Sequence, residues 1–369
     1  MKGTVLLAAG GTGGHLFPAE ALAHELKRRG FSILLVTDKR AEKFAGDFPA
    51  DRIEVVPSAT LTSKNPVAIL GAIWTMIRGA RHSDRVVRAE KPVAAVGFGG
   101  YPTVPPMGSA RKAGIPSILH EQNAILGRAN RFLGRRVKCI AVGFPQVGKT
   151  PNVPVIETGN PVRPMVEAAM RAAYPGRRPN EMLRLVIFGG SQGARYFSEA
   201  LPPALALLET EERRRLSILQ QARPEDEAAL KAQYRELGIS AEIAPFFRNM
   251  PEEISKAHFV VARAGASSVT ELAVIGRPSL LVPLPGSLDG DQAANAITMA
   301  EADGAFVIQQ AELGAGRLAS LLRLALEEPE RLSRMAQNAR RTGIPDAAKR
   351  LADCVECVIS GGDVTQLEF

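Results

Sequence analysis

Short apolar runs, each closed by glycine or a polar turn and followed by a stretch with helical spacing, recur along the chain. They are clearest at Thr4 to Ala8, Ser32 to Thr37, Ala94 to Gly97, Ser117 to His120, Leu183 to Phe188, His258 to Ala262 and Ser279 to Pro283. Val, Ile and Leu dominate these runs, as expected of strands buried on both faces of a parallel sheet. The helical stretches between them supply the crossovers that parallel pairing needs. The pattern predicts an α/β protein with doubly wound parallel sheets.

The pattern also repeats. VLLAAGGTGGHLFPAEALAHEL from Val5 and LVIFGGSQGARYFSEALPPAL from Leu185 each read as strand, glycine loop and amphipathic helix. Two similar domains follow, the second starting near Gly159-Asn160-Pro161-Val162-Arg163-Pro164, with Tyr174 to Pro179 read as loop. Ala336 to Ile359 is helical in pattern, and periodicity does not say which domain it packs on. One further helix is predicted from Val67 to Arg88. Its stripe of Val67, Leu70, Trp74 and Ile77 gives way to Arg78, Arg81, Arg85 and Arg88 on roughly one face. Such a stripe suits anionic lipid headgroups, or it is a core-packing helix with a solvated end.

Composition narrows the class. The 369 residues suit two cores, and 46% hydrophobic with 23% charged residues excludes a disordered chain. A net charge of +8 and a pI near 9.6 favour an anionic partner. With 5% aromatic residues and no basic run interleaved with rings, no nucleic-acid partner is expected. The longest apolar run, Val67 to Ile77, is far short of the roughly 20 residues that span a bilayer. The N-terminal run is too short for a signal peptide and reads as the first strand. Three cysteines, Cys139, Cys354 and Cys357, form no even disulfide framework, so a reducing compartment is expected. The Cys354-x-x-Cys357 spacing reads as helix packing, because no second ligand pair lies nearby.

Candidate chemistry sits at the strand-to-helix turns. Gly10-Gly11-Thr12-Gly13-Gly14-His15 lets backbone N–H groups approach an oxygen-rich ligand at a helix N-terminus. Asp38 mimics the ribose acid of a dinucleotide site, but Leu16 breaks that fingerprint. His15 is either a proton acceptor or a histidine that caps or packs the loop. In the second half, Ser191 of the GGSQG loop can donate to a phosphate oxygen. Ala266, Ser267, Ser268, Val269, Thr270 and Glu271 form a third junction. There Glu271 could accept from a ribose diol, or Ser267 or Ser268 could simply cap the helix. His120-Glu121-Gln122-Asn123 closes a strand at the edge where open sheets bind ligands. Asp289-Gly290-Asp291 lacks the setting of a metal site, so no metal site and no tightly bound cofactor are expected, leaving room for stimulation by Mg2+.

Taken in order, GGTGGHLFPAEALA, GFGGYPTVPP, GIPSILHEQNAILGRANR, TGNPVR, GGSQGAR, RAGASSVTEL and GDQAANA resemble the MurG-type undecaprenyl-pyrophosphoryl-muramyl-pentapeptide N-acetylglucosaminyltransferases of glycosyltransferase family 28. The motifs span nearly the whole chain. The resemblance implies a GT-B fold, two Rossmann-like domains facing across a cleft. Residues 1–162 would form the acceptor and membrane-side domain, joined by a returning C-terminal helix of about 341–369. Residues 163–340 would bind UDP-N-acetylglucosamine.

Residue by residue, the resemblance assigns Ser191 and Arg163 to the diphosphate side, Glu271 to the ribose, the Phe247 main chain to uracil and Gln292 to sugar hydroxyls. Thr12, Gly13, Gly14 and Asn123 match the N-terminal side of the site. Gly290-Asp291 replaces the Asp-His of many members, while Gln292 keeps its place. The implied reaction is inverting transfer to the 4-hydroxyl of a lipid-linked muramyl-pentapeptide, with His15 as base and Glu121 in reserve. The expected setting is peripheral, on the cytoplasmic face of the bacterial inner membrane against an anionic surface, with other cell-wall enzymes as conceivable partners. Two alternatives stay open: a related transferase with another lipid acceptor such as diacylglycerol, and a non-catalytic nucleotide-sugar-binding module.

Overall fold

The computed structural model describes residues 2–11, 13–42, 48–59, 65–189, 194–287 and 290–369. It divides into two compact units, Met1–Arg163 with Pro345–Phe369, and Pro164–Ile344.

The first unit carries strands β1 (Thr4–Ala8), β2 (Ser32–Thr37), β3 (Arg52–Val55), β4 (Ala94–Gly97), β5 (Ser117–Glu121), β6 (Cys139–Val142) and β7 (Val155–Glu157). They pair in parallel in the order β3-β2-β1-β4-β5-β6-β7. The order reverses direction between β1 and β4. At such a switch point the loops leaving the two strands turn to opposite faces and open a crevice at the carboxyl edge. Val5, Leu7, Ile33, Leu35, Ala94 and Val96 pack toward helix Gly13–Arg28, while Leu6, Ala8, Leu34, Val36 and Ala95 fill the other face.

The second unit carries β8 (Leu183–Phe188), β9 (Leu216–Gln221), β10 (Ser240–Ala244), β11 (Phe259–Ala262), β12 (Ser279–Leu281) and β13 (Ala305–Val307). Their parallel order is β10-β9-β8-β11-β12-β13, with its switch point between β8 and β11. The α/β reading of the sequence is the observed architecture in both units.

The stretch from Ala336 to Ile359 is not one helix. Helix Pro329–Thr342 ends before Gly343 and Pro345, and helix Ala347–Ile359 starts afresh. A side chain at Gly343 would fall 2.8 Å from the Val274 backbone, so glycine is required for the chain to pass there. The first helix packs in the second unit through Leu332 and Met335. The second buries Leu351, Cys354, Val355 and Val358 against β1, β2 and β4 of the first unit. Cys354 is thus a core residue beside Cys139, as the packing reading of the Cys-x-x-Cys spacing holds.

Charge ties that last helix down. Arg29 is bound by Glu25 at 2.7 Å and by Asp353 and Glu356 at 2.6 Å, and Lys2 reaches Glu356 at 2.8 Å. Arg28 and Arg29 hold the Glu25 carboxyl below its ordinary range, and Lys2 and Arg29 do the same for Glu356. A carboxylate with a depressed folded pKa stabilises above its unfolded value near 4.5 and loses that contribution as pH falls below it. The melting temperature of the protein is therefore expected to fall steadily below pH 4.5. Arg29→Met should lower it at pH 7 and flatten the acid slope in a thermal scan; an unchanged slope would remove the cluster from the account.

Candidate functional site

In the first unit, three loops meet where the carboxyl ends of β1, β4 and β5 lie side by side. After β1 the chain passes Gly10 and Gly11 into helix Gly13–Arg28, and His15 is its third residue. Asp38, after β2, accepts from the Gly11 N–H at 2.9 Å and pairs with Arg40 at 2.8 Å. It shapes the glycine loop, which accounts for its resemblance to a ribose acid. A Cβ at Gly13 would come within 2.9 Å of the Phe17 ring, so a side chain there would push that ring aside. Thr12 lies outside the described residues; Gly14 is exposed at the helix start.

After β4, Gly99 (φ 86°) and Gly100 (φ 75°) turn through left-handed backbone. The His15 ring lies about one van der Waals contact from both. After β5 comes His120-Glu121-Gln122-Asn123. The His15 Nδ1 is 2.9 Å from Gln122 Oε1, and Gln122 in turn reaches buried His120. Burial pushes His120 down to about pH 4, so it is neutral at physiological pH.

Glu121 is the last residue of β5. Its carboxylate is buried and accepts from the Asn123 N–H at 3.1 Å, Asn123 Nδ2 at 3.3 Å, Gly127 N–H at 2.9 Å and Asn130 Nδ2 at 2.9 Å. Four donors on two oxygens make it the clamp of the 121–130 loop. Asn123 is held by that clamp and by Gln146, which donates to its carbonyl at 2.8 Å. Arg163 stacks over the Phe17 ring with its guanidinium carbon 3.9 Å from the centroid, which keeps it in the first unit.

In the second unit the loop of Ser191 lies outside the described residues. The next junction follows β11. Arg263 is buried, donating to the carbonyls of Val282 and Pro283 and to Gln310 at 2.7 Å, with Tyr196 and Phe197 rings about 5 Å away. Helix Ala266–Ile275 begins at Gly265, which has no side-chain cap, so neither Ser267 nor Ser268 caps it as the alternative reading expects. The Val269 N–H closes the first turn on Gly265. The amides of Ala266, Ser267 and Ser268 precede that bond and, by helix geometry, have no acceptor in the helix. They form the positive end of a dipole next to a half-buried Glu271, while Val269 and Thr270 anchor the turn in the core.

Gln292 Oε1 accepts the Leu284 N–H at 3.0 Å, which leaves its amide nitrogen for another partner. Buried Asn295 donates to the Ala264 carbonyl at 3.2 Å and ties this short helix to the β11 loop. Phe247 is buried after β10, and its neighbour Phe246 is 70% exposed. Among the described residues no cluster of three or more His, Cys, Asp or Glu could hold a metal ion.

A third feature lies on helix Pro66–Glu90. Leu70, Trp74 and Ile77 are exposed at 67%, 57% and 40%, so the stripe is not buried in the core. Arg78, Arg81, Arg85 and Arg88 are exposed too, and Val67 belongs to the same helix. Sequence reasoning missed Ile73, 44% exposed on this helix. It also missed a cavity of about 620 Å³ lined by Met107, Phe132 and Arg111, Arg128, Arg131, Arg135 and Arg136. Arg111 comes from helix Val104–Lys112, and the other four from helix Arg128–Leu133 and the short turn Gly134–Arg136 after it, so no local spacing joins the two groups. Among the described residues no helix is long and apolar enough to cross a membrane.

Two doubly wound parallel-sheet units, with strand-to-helix turns at the carboxyl edge, are the architecture of the GT-B class, to which sugar-nucleotide-dependent transferases belong. The family model for the glycosyltransferase family 28 N-terminal domain matches residues 5–142, and that for the C-terminal domain matches residues 184–351. The chain belongs to glycosyltransferase family 28. A protein of Agrobacterium fabrum (strain C58 / ATCC 33970), named UDP-N-acetylglucosamine--N-acetylmuramyl-(pentapeptide) pyrophosphoryl-undecaprenol N-acetylglucosamine transferase, is 54% identical over 368 residues, covering 100% of this chain and 97% of its own. A protein of the same name from Brucella suis biovar 1 (strain 1330) is 51% identical over 368 residues, again covering 100% and 97%. The crystal structure of Acinetobacter baumannii MurG superposes with a TM-score of 0.77 at 29% identity, covering 96% of this chain and 99% of that one.

Proposed function

We propose that the chain transfers N-acetylglucosamine from UDP-N-acetylglucosamine to the muramyl 4-hydroxyl of undecaprenyl-pyrophosphoryl-muramyl-pentapeptide, with inversion, turning lipid I into lipid II for peptidoglycan. The observation that carries this reading is full-length identity above 50% to transferases named for that donor and that acceptor. It favours this acceptor over diacylglycerol and catalysis over simple binding.

His15 takes the proton of the attacking hydroxyl, because it is the half-buried imidazole at the carboxyl edge with one ring nitrogen already engaged. The departing diphosphate gathers negative charge. The amides of Ala266, Ser267 and Ser268, the Ser191 loop and Arg163 supply the opposing dipoles and charge. Glu271 takes the ribose diol, the Phe247 main chain the uracil edge, and Gln292 the sugar hydroxyls. These roles need no tightly bound cofactor, and Mg2+ acts as a stimulant.

The test is transfer of radiolabelled sugar to a short-chain lipid I analogue. Glu271→Ala should raise KM for UDP-N-acetylglucosamine about 10- to 100-fold, since a hydrogen bond to a charged group is worth roughly 1.5–3 kcal/mol. Transfer to diacylglycerol in place of the lipid I analogue would overturn the acceptor assignment.

The enzyme works on the cytoplasmic face of the inner membrane as a peripheral protein. Leu70, Ile73, Trp74 and Ile77 enter the interface while the arginines of helix Pro66–Glu90 and of the nearby cavity meet anionic headgroups. Vesicles with 30% phosphatidylglycerol are expected to co-sediment the protein at low salt, about tenfold less for Trp74→Ser, with release as salt rises. Equal binding by neutral vesicles at all salt concentrations would sink the electrostatic half of the reading. Other cell-wall enzymes are natural neighbours at that surface.

A further inference from the structure

We infer that Gln122 and His120 are positioning residues that hold His15 as the Nδ1–H tautomer, so that its Nε2 lone pair is the one offered to a proton. The inference rests on the reading of His15 as the base, and the hydrogen-bond chain that carries it begins at a group that can only accept.

The Gly159 carbonyl lies 3.2 Å from His120 Nε2. A carbonyl has no proton to give, so Nε2 carries the hydrogen. His120 is fully buried and neutral, which leaves its Nδ1 as an acceptor. Gln122 Nε2 is 3.0 Å from that Nδ1 and 3.2 Å from the His120 carbonyl. Both partners accept, so the amide nitrogen must point this way on two independent counts. The amide oxygen therefore points at His15 Nδ1, 2.9 Å away, and an oxygen can only accept. His15 Nδ1 must hold the proton. The remaining nitrogen, Nε2, lies on the ring edge beside Gly100, where a Cβ would sit 3.5 Å from it.

The relay is braced from behind. Asn160 Nδ2 donates to the Gln122 carbonyl at 2.9 Å, and its side chain fills the space a Cβ at Gly143 would need. A histidine in water favours the opposite, Nε2–H form, which would present a hydrogen instead of a lone pair to the hydroxyl. The protein thus spends two buried polar side chains on choosing the nitrogen.

The test reads tautomers directly. The full-length protein is labelled with 15N-histidine, and long-range proton–nitrogen spectra are recorded at pH 8, with its five histidines separated by the signal lost in His15→Ala. The expected result is protonated Nδ1 and bare Nε2 at His15, and the reverse at His120. In Gln122→Met, His15 should shift toward the Nε2–H form, with kcat down about 10- to 100-fold and KM for UDP-N-acetylglucosamine within about twofold.

An Nε2–H His15 in the unmodified protein, or a tautomer unmoved by Gln122→Met, overturns the relay even where that variant melts early. If the tautomer is as inferred but His15→Ala still turns over, the relay stands and the base assignment falls. If His15→Ala is inactive and the spectrum shows Nε2–H, the relay alone falls.

Discussion

His15→Ala is expected to lower kcat for sugar transfer by about 10²- to 10⁴-fold, the range a positioned general base contributes, with KM for UDP-N-acetylglucosamine changed by less than about threefold. The split between the two constants follows from where His15 stands. It begins helix Gly13–Arg28 in the first unit, and its ring is held by Gln122, so the residue serves proton transfer and not the donor nucleotide. The ring is half-buried and lies beside the Gly99–Gly100 backbone, so its removal leaves a small solvent-accessible gap and no large core cavity. Steady-state rates with the lipid I analogue, beside a melting curve, check this. Raised KM with unchanged kcat would make His15 a donor-binding residue.

Glu121→Gln is expected to act on stability first. The buried carboxylate accepts four N–H groups, and an amide turns one acceptor into an NH₂ group against donors that still need partners. Leaving one or two of these donors unmet against a buried side chain costs about 2–4 kcal/mol. In a unit of this size that corresponds to a fall of roughly 5–15 °C in Tm. Activity should drop because the loop also carries Gln122 and Asn123. The alternative role makes the opposite forecast: a base at Glu121 would lose kcat with melting unchanged. Calorimetry of the folded variant beside its turnover separates the two.

The central strands were legible in the sequence because they are apolar on both faces. Thr4–Ala8, Ser32–Thr37, Ala94–Gly97 and Leu183–Phe188 appear with the bounds that their hydrophobicity predicts. Arg52–Val55, Val155–Glu157 and Ser240–Ala244 did not show, since an edge strand needs only one partner and tolerates charge. Leu216–Gln221 hid for another reason: its buried Gln220 accepts from the Tyr234 hydroxyl, a partner that only the fold brings beside it. The cavity of five arginines was equally unreadable, because no spacing rule links residue 111 to residue 136.

Sequence alone determined the α/β class, the internal repeat and the glycine-rich turns where His15 and Ala266 to Glu271 begin their helices. Those features depend on neighbours within one turn or one strand, where periodicity and backbone freedom act directly. Tertiary structure decided the rest. It broke the last helical stretch at Gly343 and Pro345 and sent its end to the first unit. It made Glu121 a clamp and brought Gln122 to His15 across 107 residues. Hydrogen-bond partners are fixed by which strands lie side by side, and strand order is set by packing over the whole sheet, which no local run of residues encodes.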